Sequence, residues 1–256
     1  MRAAMRKSII VSALLGLVLW VTGAQALTLS VQGDGNITDY EVVLVLHQLL
    51  FVFWLGPDLG RYLWSTRVAD PQLSPTTRIT GGELIKRIEL FPKVCISLML
   101  TIGGILTEAV GITHPWWQMA GIVLLGPVWL TMVVLGHFRA NTNLGRLVND
   151  TDVWFRLFMA GAVLASVSYS WSIGRLDNTP WVTGKLVLFA AILLFGMMVQ
   201  IRLRPFDAAL ASMAASGPTE ASDVSMSRSL AGARPYIFGI WFALAAAAWL
   251  GVAQPT

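Results

Sequence analysis

Charge is what this sequence has least of. Of its 256 residues 12% are Asp, Glu, Lys or Arg and 55% are hydrophobic, with a mean hydropathy of +0.67. A soluble domain usually carries about 25% charge, so a water-facing shell around one core is excluded. There is one cysteine, Cys95, set in an apolar run, which rules out an intrachain disulfide and a cysteine-built zinc site. Histidine is scarce too, with three residues. No Cys-x-x-Cys-His haem attachment motif occurs, no pair of histidines lies at bis-haem spacing within one span, and no Ser/His/Asp set can be placed. Gly-rich phosphate loops and basic stripes with interleaved aromatics are missing as well. The net charge of +4 therefore points to membrane topology rather than to nucleic acid.

What is present is a succession of long apolar segments. The chain opens with "MRAAMRKS", an apolar stretch and "TGAQALT", the layout of a signal peptide cleaved after Ala26 or of a signal-anchor helix over 1–26. Five spans follow within 27–206, at about 40–64, 91–112, 116–138, 153–173 and 181–203, each long enough to cross ~30 Å of hydrocarbon at ~1.5 Å per residue. The segment 207–234 is Ala/Ser-rich and polar and reads as a mobile cytoplasmic loop. A final membrane helix and tail occupy 235–256. Backbone in lipid must satisfy its own hydrogen bonds, and runs this long without alternation can do so only as helices. The expected fold is all-α, a polytopic transmembrane bundle of six spans behind the N-terminal segment.

Basic residues set the orientation. With the N-terminus inside and the chain alternating sides, sixteen of the eighteen Lys and Arg fall on the cytoplasmic side, leaving Arg175 and Lys185 outside. By the positive-inside rule this predicts a multi-pass protein of a bacterial-type inner (plasma) membrane with its basic loops in the cytoplasm.

Polar residues inside a span are costly and mark functional positions. In "VLHQLLFVFWLGPDLGRYLW" (44–63), His47, Phe51, Trp54, Asp58 and Arg61 fall on one helical stripe, which predicts that this stripe faces the bundle interior. Asp58 and Arg61 read as an i, i+3 ion pair at the inner end. Pro57, after Gly56, should kink the helix or end it early. His47 is either a metal or haem ligand or an interhelical hydrogen-bond partner of a Ser or Thr, worth about 1 kcal/mol. Lys185, about four residues inside its span at similar depth, either snorkels to the surface or pairs with a carboxylate such as a porphyrin propionate. Met99 and Met119 are the methionines able to approach the level of His47, and His with Met thioethers is also copper chemistry.

Three stretches resemble a known superfamily. His47 and Trp54 with the small-residue break and basic inner loop that follow, "ELIKRIELFPKVCISLMLTIGGIL" (83–106) with Arg87 and Pro92, and "WVTGKLVLFAAILLFGMMVQIRLRPF" (181–206) with Trp181 and Lys185 are similar to three helices of the HemJ-type protoporphyrinogen oxidases and the related CopD-like membrane proteins. The match covers 75 to 80 residues, and an extra hairpin (113–173) separates its second and third pieces. The resemblance implies a haem b-carrying helix core with His47 as axial ligand and Arg87 and Lys185 as functional polar groups. It implies a redox or electron-transfer role between a quinone or porphyrin and a partner protein or second copy. Any catalysis would be that of a membrane oxidoreductase. Its CopD side implies copper handling instead, and a structural membrane subunit is the third reading.

Overall fold

The computed structural model describes residues 38–255, so the N-terminal signal or anchor segment lies outside the described residues. Seven helices follow one another: α1 (Asp39–Val68), α2 (Pro75–Ile88), α3 (Leu90–Ala109), α4 (Trp116–Phe138), α5 (Asn143–Ser172), α6 (Pro180–Ser216) and α7 (Glu220–Ala253). Six are long and apolar enough to cross a membrane, α2 and α3 counting as one broken span. The fold is thus an all-helical polytopic bundle, without strands among the described residues.

The spanning helices form a closed ring in the order α1–α3–α4–α5–α6–α7 and back to α1, each packed on the next. Helices across the ring do not approach backbone to backbone; side chains fill its middle. Trp54, Cys95, Ile96, Trp129, Phe189, Leu193 and Ile237 belong to that core. The α6–α7 pairing is the most extensive, and the α7–α1 seam is the thinnest link between spanning helices. The ring has a basic end, where α1 finishes and α2 lies, and an opposite end, where α1 and α6 begin.

Local chemistry sets the boundaries. Thr38 and Glu41 form a capping box at the start of α1, supplying two of the partners that a helix N-terminus lacks. Pro57 does not end the helix, which runs on to Val68. Ser74 caps α2 with Pro75 in its first turn, where a missing N–H costs nothing.

The segment 207–234 is not a loop. α6 runs through it to Ser216, the chain reverses at Gly217-Pro218-Thr219, and α7 begins at Glu220. Gly217 has φ +86°, a left-handed conformation that only glycine adopts cheaply. The misreading has a physical cause. The segment is polar on average, yet Ala209, Leu210, Met213, Met226 and Leu230 recur at helical spacing and, with the preceding Phe206, bury a second core with Val68 and Ala69. α2 packs beneath this core against α1 and α6. Arg78, 2% exposed, locks it by donating to the Val68 carbonyl at 2.7 Å and the Asp223 carboxylate at 2.6 Å. The last helix closes the ring.

Candidate functional site

The α1 stripe faces inward as expected. Trp54 and Asp58 are buried, while His47, Phe51 and Arg61 are half-buried. At its basic end, Asp58 accepts from Arg61 (2.8 Å) and from the indole of Trp241 on α7 (2.9 Å). The ion pair read from the sequence is present, and its second partner pins the thin α1–α7 seam. Tyr62 adds edge contacts to Trp241 and Phe238.

His47 lies at the opposite end. A Cβ added at Gly103 of α3 would sit 3.2 Å from its Cε1 and 3.8 Å from its Nδ1, so the missing side chain is what lets the imidazole lie against that backbone. The His47 Nδ1 is buried and has no hydrogen-bond partner. The interhelical bond to a Ser or Thr, one of the two readings of this residue, is not made at that nitrogen. A buried polar atom without a partner costs about 1–3 kcal/mol, which makes it the exception to explain. Thr179 and Thr183 at the start of α6 carry the other buried unpartnered side-chain oxygens among the described residues. All three lie toward the opposite end of the ring.

Trp54 meets Phe189 of α6 edge-on, with ring centroids 6.5 Å apart. These two side chains bridge α1 and α6 across the ring on the basic side of His47. Lys185, one turn before Phe189, lies within electrostatic range of His47. Its ammonium sits over the Trp181 ring at 5.5 Å and against α7, where a Cβ at Gly251 would be 2.9 Å away. The lysine therefore reaches along α7 toward the helix end.

The remaining sequence candidates separate. Met99 is one turn from Gly103 on the same side of α3, half-buried against the core. Met119 is on α4, which packs on α3 and α5 and not on α1, so it is not brought to His47. Arg87 is exposed at the end of α2, a full ~20 Å of α3 away from Gly103. Arg175 donates to the Thr113 carbonyl and to Gln118, tying the α5–α6 link to the start of α4 instead of facing the site. His114 is engaged by Glu108 at 2.8 Å.

Sequence reading missed one buried polar cluster. Trp129, fully buried, donates to Asp152 at 2.9 Å, and Arg156 donates to the same carboxylate at 2.8 Å. The guanidinium also lies over the Trp129 ring, 5.8 Å from its centroid. The basic-residue count places Arg156 at the cytoplasmic side; Asp152, four residues earlier on the same face, is the sequence signal for its buried position.

Comparison with protein families, characterised proteins and solved structures finds no match. Among the described residues no group of three or more His, Cys, Asp or Glu is placed to hold a metal ion.

Proposed function

We propose that this chain is a haem b-binding membrane protein with a redox or electron-transfer role, held in a bacterial-type inner membrane with its basic end in the cytoplasm. One observation carries the reading: the single histidine on the interior stripe of a spanning helix has a buried ring nitrogen with no partner, beside a glycine that makes room for the ring. The resemblance of the stretches around His47, Arg87 and Lys185 to the HemJ- and CopD-like proteins supports it.

The donor set favours haem over a bare ion. A porphyrin brings four nitrogens of its own, so one protein imidazole is enough to hold the iron. A copper ion must draw its soft donors from the protein, and among the sequence candidates Met99, not Met119, is on the α3 face that His47 packs on. Haem b, when bound, supplies one-electron chemistry. The protein's contribution is then specific: His47 provides the imidazole, Trp54 and Phe189 exclude water on the basic side, and Lys185 supplies a positive charge suited to a carboxylate. Arg87 belongs to the cytoplasmic surface and has no part near His47. Quinone or porphyrin as electron partner follows from the resemblance.

A Soret band in the detergent-purified protein is the direct test; copper without that band would favour the CopD-like reading, and neither would leave a structural subunit. Gly103→Val should lower haem occupancy severalfold, because its side chain enters the space of the His47 ring. Gly56→Ala, whose added methyl meets nothing within 4 Å, should leave occupancy unchanged. Equal occupancy in Gly103→Val would detach the site from the α1–α3 contact.

Orientation has its own test. A reporter active only outside the cytoplasm should work when fused after Val110 or Asp177 and fail after Pro75 or Val148, since the inner links carry the basic bias. The opposite pattern would invert the topology.

A further inference from the structure

A groove of ≈ 920 Å³ runs between α6 and α7 at the basic end of the ring. Its walls change character along their length. Met198 and Ile201 line it on the side of the membrane core, Arg202 and Arg228 stand in its middle, and the hydroxyls of Ser225 and Ser229 accompany Arg228. Neither guanidinium makes an ion pair or hydrogen bond among the described residues, and both are exposed in the groove. The Arg202 stem crosses α7 at Gly232, 3.8 Å from where a Cβ would stand, so a small residue there keeps the groove open beneath the arginine.

Depth identifies the occupant. From Pro180 to Arg202 is ~33 Å along α6 at ~1.5 Å per residue, which matches the ~30 Å of hydrocarbon between the two interfaces. The antiparallel α7 places Arg228 about one turn further out. Unpaired arginines at that level face lipid phosphates, and a guanidinium is the residue type best shaped to bind them. We propose that this groove is a binding site for an anionic glycerophospholipid, its phosphate held by Arg202 and Arg228, its glycerol region beside Ser225 and Ser229, and an acyl chain along Met198 and Ile201. Glu220 lines the groove beyond Arg228 and disfavours a headgroup carrying a second negative charge close to it. The site is independent of His47 and of any group bound there.

The test is lipid retention measured by native mass spectrometry. The full-length protein is taken from nanodiscs of phosphatidylcholine alone, or of phosphatidylcholine with added phosphatidylethanolamine or phosphatidylglycerol. The wild type should retain phosphatidylglycerol preferentially, and millimolar inorganic phosphate should not displace it. Each juxtamembrane arginine contributes about fivefold to anionic-lipid binding, so R202Q should lower retention about fivefold and R202Q/R228Q about twenty-fivefold. R139Q/R146Q removes the same charge from the end of α4 and the first turn of α5 and should change it less than twofold. Should the double variant fail to fold, R202Q alone still reads the effect. The proposal is overturned if phosphatidylethanolamine is retained as well as phosphatidylglycerol, if free phosphate displaces the lipid, or if R139Q/R146Q loses as much as R202Q/R228Q. It is equally overturned if R202Q/R228Q changes the oligomeric state while lipid retention stays the same, which would make the groove a contact between copies.

Discussion

His47→Ala, purified in equal yield, is expected to lose its Soret absorption entirely. Removing a residue that merely supports a metal-binding histidine costs about 10–100-fold in affinity, so removing the imidazole itself should exceed that and empty the site. Three comparisons isolate the cause. Asp58→Asn should keep the band, because Asp58 is bonded to Arg61 and Trp241 at the other end of α1. His114→Ala should keep it, since that ring is held by Glu108. Lys185→Met should retain haem but shift its midpoint potential downward, as removal of a nearby positive charge favours the oxidised, more positive iron. Full haem content with an unaltered spectrum in His47→Ala sinks the assignment, and so does a wild type that carries none. His47 would then be a buried imidazole serving only to fill the gap over Gly103.

How much of this was legible beforehand depended on whether a signal was local. Six spans were visible from length and hydropathy, and the burial of Trp54 and Asp58 followed from the 3.6-residue period that puts them on one stripe with His47. The Asp58–Arg61 pair was readable because three residues separate its members. Trp241, 183 residues away, was not, since no sequence spacing announces which indole will reach a given carboxylate. In the segment 207–234 a polar average masks the periodicity; its Ala, Met and Leu positions are a helix face whose partner, α2, is itself too polar to look like part of a core. Gly103 passed unremarked for the opposite reason: glycines are common in apolar helices, and only the approach of His47 from another helix gives this one a task.

Asp152→Ala should be markedly more destabilising than Asp58→Ala. The carboxylate accepts from Trp129 on α4 and from Arg156 on its own helix, and Arg156 in turn lies 3.6 Å from where a Cβ at Gly196 of α6 would stand. One aspartate thus joins three consecutive members of the ring. Its loss strands a guanidinium whose side chain is 8% exposed, and breaking such a pair from one side typically costs about 3–5 kcal/mol. Arg61 is in an easier position after Asp58→Ala, because its side chain is 18% exposed and can reach water; that cost should stay nearer 1–2 kcal/mol, on the scale of lost hydrogen bonds. Unfolding of the detergent-solubilised variants by SDS titration gives both values. Asp152→Ala/Arg156→Leu distinguishes the causes, since replacing both partners with apolar groups removes the stranded charge along with the bond. Recovery of more than half the loss in the double variant assigns the cost to the uncompensated arginine. No recovery assigns it to the Trp129 anchor, and an Asp152→Ala protein within about 1 kcal/mol of wild type would mean that the α4–α5–α6 side of the ring is held by apolar packing alone.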